Sequence, residues 1–152
     1  MIFEDRKNAG KKLAAKLEKY RDKKGIVIAL PRGGVPVGYE IAKELHLPLD
    51  VLVVRKVSLP QNPEYGIAAV ASPDELYVDR DSMIRLNITP REIAEIAEKE
   101  MREMNRREDL YRAGKKPLNL KNKIVILTDD GIATGVTVHA ALLALKIQNP
   151  NN

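Results

Sequence analysis

Two adjacent carboxylates stand at the end of an apolar run in Val125-Ile126-Leu127-Thr128-Asp129-Asp130. A glycine-containing turn follows, Gly131-Ile132-Ala133-Thr134-Gly135, before Val136 and Thr137 open an apolar stretch. A buried strand that ends in acids presents them where α/β sheets take their ligands, at the strand C-termini. The turn runs into a helix start, whose unpaired N–H groups and positive dipole end suit a phosphate, and Thr134 and Thr137 add hydroxyl donors. Carboxylates repel phosphate, so Asp129 and Asp130 must face another part of the ligand. The neighbouring hydroxyls of a ribose donate to carboxylates, and a sugar phosphate therefore satisfies both halves of the run. Neither the lysine-containing phosphate loop nor the dinucleotide GxGxxG is present.

Two further groups could carry charge chemistry. Leu30-Pro31-Arg32-Gly33-Gly34-Val35-Pro36 follows an apolar run; Arg32 offers a planar fork of donors, and the glycines let main-chain N–H groups come close to an anion. Its plainer reading is a tight turn with the arginine in solvent. Arg55 and Lys56 end a second apolar run, and the stretch from Arg55 to Tyr65, with two prolines, is expected to be a loop of about ten residues able to close as a lid. The plainer reading there is a basic pair ending a strand.

Positioning these groups requires a sheet. Gly25 to Leu30, Val51 to Val54 and Lys123 to Thr128 are continuous apolar runs, the pattern of strands buried on both faces of a parallel sheet. Helical spacing marks Asn8 to Tyr20, Val35 to His46 and Val136 to Ile147. Ile67 to Ala71 and Leu76 to Val78 read as short strands. Thr89-Pro90-Arg91-Glu92 combines an N-cap, a first-turn proline and a capping-box glutamate, so a helix begins there and ends before Gly114 and Pro117. The expected architecture is a single α/β domain over residues 1–152, with a mainly parallel sheet flanked by helices.

Composition fits that frame. With 44% apolar and 31% charged residues the chain is globular rather than disordered. It has no cysteine, no apolar N-terminal segment and no run near the ~20 residues of a membrane span, so a cytoplasmic setting without a membrane partner is expected. The net charge of +5 suits a phosphate-rich ligand; one Phe and no Trp provide few stacking platforms, which disfavours nucleic acid. His46 and His139 have no second ligand at metal spacing.

The run Val125 to Thr137 resembles the signature of type I phosphoribosyltransferases: four apolar residues, two acids, and a loop ending in Thr-Gly-x-Thr. The resemblance implies that the chain binds 5-phosphoribosyl-1-pyrophosphate (PRPP), with Asp129 and Asp130 on the ribose hydroxyls and Gly131, Ile132, Ala133, Thr134, Gly135, Val136 and Thr137 around the 5-phosphate. Arg32, Gly33 and Gly34 are similar to the family's pyrophosphate loop, and Arg55 and Lys56 stand where some members carry basic residues before a mobile loop. More of the chain, including Phe3-x-Asp5-Arg6 and Pro63-Glu64, is similar to a loosely characterised bacterial and archaeal group of the same family. The implied reaction is transfer of the phosphoribosyl group to a nitrogenous base or amine with release of pyrophosphate and with Mg2+ as cofactor, the catalytic set being Arg32, Arg55, Lys56, Asp129 and Asp130. Mg2+ would be held mainly through PRPP, with Asp129 or Asp130 as the candidate protein ligand.

The sequence departs from the better-known members twice. Ala133 stands where purine enzymes commonly carry an acid that contacts the base, and the chain ends at Asn152 where members usually continue with another strand, so the usual C-terminal strand is expected to be missing. An unfinished sheet edge admits a homo-oligomer. The alternative function is a non-catalytic PRPP- or nucleotide-binding regulator, which a basic face at Arg102, Arg106 and Arg107 would favour.

Overall fold

The computed structural model describes residues 3–72, 75–132, 135–148 and 150, the side chains of Glu64 and Ile147 excepted. The chain divides into two compact units: Met1–Leu52 with Lys116–Ile132 and Gln148–Asn152, and Val53–Lys115 with Ala133–Ile147.

The first unit is built on a parallel sheet. Strand β1 (Gly25–Ala29) lies between β2 (Leu49–Val51) and β6 (Ile124–Thr128), in the order β2-β1-β6. Every residue of β1 is buried, as its uninterrupted apolar sequence requires of a central parallel strand. Helix α2 (Gly34–Leu45) returns the chain from β1 to β2. It sets Val37, Ile41, Ala42 and Leu45 against Val27, Leu47 and Ile126. Each of the larger of these side chains contributes about 1.5–3 kcal/mol when fully buried. Helix α1 (Arg6–Lys16), followed by a 3-10 turn at Glu18–Tyr20, adds Ala14 to this core. It begins at Asp5, whose carboxylate accepts the Asn8 N–H at 2.6 Å. The first helix therefore starts two residues earlier than its apolar spacing suggested, because the cap rather than the apolar face sets its start.

The second unit holds an antiparallel sheet, β3 (Val54–Leu59), β4 (Asn62–Ala71) and β5 (Glu75–Val78), in that order. The stretch expected to be a loop from Arg55 to Tyr65 is thus a hairpin. Val57 is fully buried and pairs with Ala68; Pro60 occupies the turn and Pro63 the start of β4. A turn and the beginning of a strand both tolerate proline, so neither argues against pairing. The apolar run Val51 to Val54 is also not one strand: β2 ends at Val51 and β3 begins at Val54. Val53, Val57, Ile67, Ala68 and Val70 form a core with Ile93, Ala97 and Met104 of helix α4 (Pro90–Arg112).

Helix α4 has the expected capping box: Thr89 Oγ1 accepts the Glu92 N–H, and Glu92 accepts the Thr89 N–H at 2.8 Å. A short helix α3 (Arg80–Arg85), capped by Asp79, precedes it. Helix α5 (Val136–Ile147) packs Val136 and Ala140 on Ala69 of β4. No helix among the described residues is long and apolar enough to cross a membrane.

Candidate functional site

Strands β1 and β6 pair in register up to Ala29 and Thr128, so the segments that follow them leave the sheet side by side. The Leu30 N–H donates to the Thr128 carbonyl at 2.9 Å and prolongs the pairing by one residue. The loop then turns, the Gly34 N–H donating to the Leu30 carbonyl at 3.0 Å. This brings the loop onto the paired acids. A methyl group at Gly33 would lie 2.0 and 2.4 Å from the Asp130 carboxylate oxygens, and one at Gly34 would lie 2.7 Å from the Thr128 carbonyl oxygen and 3.0 Å from Asp129 Cα. Close approach to backbone, more than backbone freedom, requires Gly34, while at Gly33 the space is taken by the Asp130 side chain. Buried Thr128 adds a long hydrogen bond from its Oγ1 to the Gly34 carbonyl, 3.4 Å.

Asp129 and Asp130 have different electrostatic surroundings. Arg6, from the first turn of α1, donates from Nε (2.9 Å) and Nη2 (2.6 Å) to Asp130 Oδ2. That guanidinium holds the Asp130 carboxyl below its ordinary range. Asp129 is partly buried, and desolvation pushes its carboxyl up, against the help of the Asp130 N–H that donates to its Oδ1 at 2.8 Å. A cleft of about 330 Å³ opens between Phe3, Arg6, Leu13 and Val37 and the two acids.

The first unit therefore gathers Gly33, Gly34, Asp129 and Asp130, with Arg32 at the same loop. Gly131 and Ile132 follow the acids and are exposed. Ala133 and Thr134 lie outside the described residues. Gly135, Val136 and Thr137 belong to the second unit, where Gly135 has the left-handed φ of 80° and Val136 begins α5.

Arg55 and Lys56 also belong to the second unit. Arg55 is committed to a half-buried ion pair, its Nε donating to Glu100 Oε2 at 2.7 Å. Lys56 lies across Gly66 and lines, with Pro60, Pro63 and Lys99, a cleft of about 580 Å³ against α4.

Three contributors went unassigned in the sequence. Arg6 sits in the Phe3-x-Asp5-Arg6 pattern, but nothing in a linear reading joins it to Asp130. Thr128 could have been noticed as the polar end of an apolar strand. Glu100 looked like one of many solvated charges on α4.

No cluster of three or more His, Asp or Glu side chains able to hold a metal is found among the described residues. The donor set at Asp129 and Asp130 is oxygen only. That fits a magnesium ion taken up with one or two carboxylates and the oxygens of a phosphorylated ligand, the usual way this ion is held.

Comparison with known proteins shows the family and the fold. The family model for the phosphoribosyl transferase domain matches residues 2–152. Two proteins of Mycobacterium tuberculosis, from strains CDC 1551 / Oshkosh and ATCC 25618 / H37Rv, each named "Putative phosphoribosyl transferase", are 40% identical over 141 residues. The match covers 92% of this chain and 32% of theirs, so the chain spans about a third of the length of these relatives. The crystal structure of TT1426 from Thermus thermophilus superposes with a TM-score of 0.81 at 34% identity, covering 99% of this chain and 71% of that one. A purine phosphoribosyltransferase from Pyrococcus horikoshii Ot3 shares the fold, with a TM-score of 0.55 at 17% identity, covering 100% of this chain and 70% of that one.

Proposed function

This chain belongs to the phosphoribosyl transferase domain family, and from that premise we propose that it binds PRPP and transfers its phosphoribosyl group to a nitrogenous base or amine, releasing pyrophosphate. The observation that carries this reading is the packing of the Arg32-Gly33-Gly34 loop directly against Asp129 and Asp130, which unites an anion loop and a pair of hydroxyl acceptors in one unit.

In this reading the ribose hydroxyls donate to Asp129 and Asp130. Arg32 and the Gly33 N–H face the diphosphate. Gly34 serves close approach, since its N–H already closes the turn onto Leu30. The 5-phosphate falls to the Gly131 to Thr137 segment of the signature, as the family resemblance implies. As the C1–O bond breaks, its electron pair leaves with the diphosphate and the sugar becomes electron-poor. The acceptor nitrogen forms the new C1–N bond and gives up its proton. The two carboxylates favour positive charge on the sugar, and Arg32 favours negative charge on the leaving group. Arg55 and Lys56 are further candidates for the diphosphate; for Arg55 this requires sharing or exchanging its Glu100 partner. Magnesium, when bound with the substrate, supplies charge neutralisation on the diphosphate.

Pyrophosphate release, measured with PRPP, Mg2+ and a panel of purine, pyrimidine and amine acceptors, tests the reading. Turnover with at least one acceptor is expected, and Arg32→Ala lowers kcat by about 10²–10³-fold, as loss of a donor to developing charge does. PRPP binding without turnover on any acceptor would favour the regulator instead. The basic face on α4 does not speak for that second reading, because Arg102 is paired with Glu98, and Arg106 and Arg107 are both paired with Glu103.

A further inference from the structure

We infer that Arg6 is a positioning residue for PRPP: it fixes the Asp130 carboxylate against the Gly33 backbone so that the remaining oxygen accepts a ribose hydroxyl. This inference rests on the proposed PRPP site and assigns a role within it to a residue outside both loops.

Three observations carry it. First, Arg6 approaches with two of its nitrogens, at 2.9 and 2.6 Å, and both bonds fall on Oδ2. The guanidinium thus secures the carboxylate through one oxygen, and in the proposed site Oδ1 is the atom that accepts the ribose hydroxyl. Second, the Asp130 carboxylate also lies close against Gly33, where even a methyl group would overlap all three carboxyl atoms, at 2.0 to 2.4 Å, Oδ2 nearest. Two contacts on one carboxylate narrow the orientations it samples, and part of the entropy of fixing it is spent before the ligand arrives. Third, Asp129 and Asp130 are adjacent acids, and the Arg6 guanidinium sets a positive charge against one of the pair. Arg6 is itself anchored by helix α1, whose N-cap at Asp5 immediately precedes it.

The same contact admits an opposite role, in which Arg6 occupies a carboxylate that the ribose must win from it. The two roles differ in sign. If Arg6 positions Asp130, its removal weakens PRPP binding. If it blocks Asp130, its removal tightens binding.

The experiment uses the full chain with Arg6→Gln and Arg6→Lys. PRPP affinity is measured by titration calorimetry with Mg2+, and KM and kcat by pyrophosphate release. For Arg6→Gln the expected result is a KM for PRPP raised about ten- to hundredfold, the scale of a displaced positioning group, with kcat changed much less. Arg6→Lys restores part of the loss, because it returns the charge without the second bond. Thermal melting of both variants excludes unfolding as the cause. Unchanged or tighter PRPP binding in Arg6→Gln would overturn the inference, as would a loss confined to kcat. Failure of the wild-type chain to bind PRPP would instead overturn the proposed function itself.

Discussion

At the scale of single residues, Asp129 and Asp130 are adjacent and oppositely perturbed, and this has a consequence for stability. Burial raises the Asp129 pKa, so its charged form is disfavoured by folding; that cost is present at neutral pH and disappears as pH falls below the ordinary aspartate range. Arg6 lowers the Asp130 pKa, so its charged form is favoured; that contribution is present above the ordinary range and lost as pH falls through the depressed value. Asp129→Asn is therefore expected to raise Tm at neutral pH and Asp130→Asn to lower it, with both differences shrinking in acid. Thermal melts at neutral and acid pH check the signs, and two shifts of the same sign would contradict the assignment. Gly33→Ala is the steric counterpart. Its methyl group displaces the Asp130 carboxylate, the movable end of an exposed side chain, so the variant binds PRPP more weakly while its stability changes little, as calorimetry and denaturant unfolding would record.

At the scale of elements, the capping box of α4 and its core contacts make separable contributions. Thr89→Ala costs about 1 kcal/mol, the usual value of an N-cap, while Met104→Ala, at a fully buried position, costs about 2–5 kcal/mol; urea unfolding distinguishes them. This is also the scale at which the sequence was most and least legible. Helix α5 was readable to the residue, and α4 by its cap, because local signals such as Thr89-Pro90 and the apolar spacing from Val136 set their bounds. The β3–β4 hairpin was not, because Pro60, Gln61, Asn62 and Pro63 form a cluster that reads as loop, while its pairing partners, such as Val57 and Ala68, are eleven residues apart. The candidate site divides in the same way. Asp129, Asp130, Gly33 and Gly34 carry their chemistry in local motifs. Arg6 reaches Asp130 only through the packing of α1 on the first unit, and the Arg55–Glu100 pair forms only through the packing of α4 on β3.

At the scale of the whole molecule, the net charge of +5 favours encounter with a polyanion. Association with PRPP is therefore expected to slow as salt rises and the Debye length falls below about 10 Å, which stopped-flow measurement across a salt series would detect. A rate independent of salt would assign recognition to the local site alone. The central claim is that Asp129 and Asp130 hold the ribose of PRPP. Titration calorimetry of the chain and of an Asp129→Asn, Asp130→Asn double variant with PRPP and Mg2+ tests it most directly. Saturable binding by the chain and none by the still-folded double variant is the predicted result, and equal affinity of the two would contradict it.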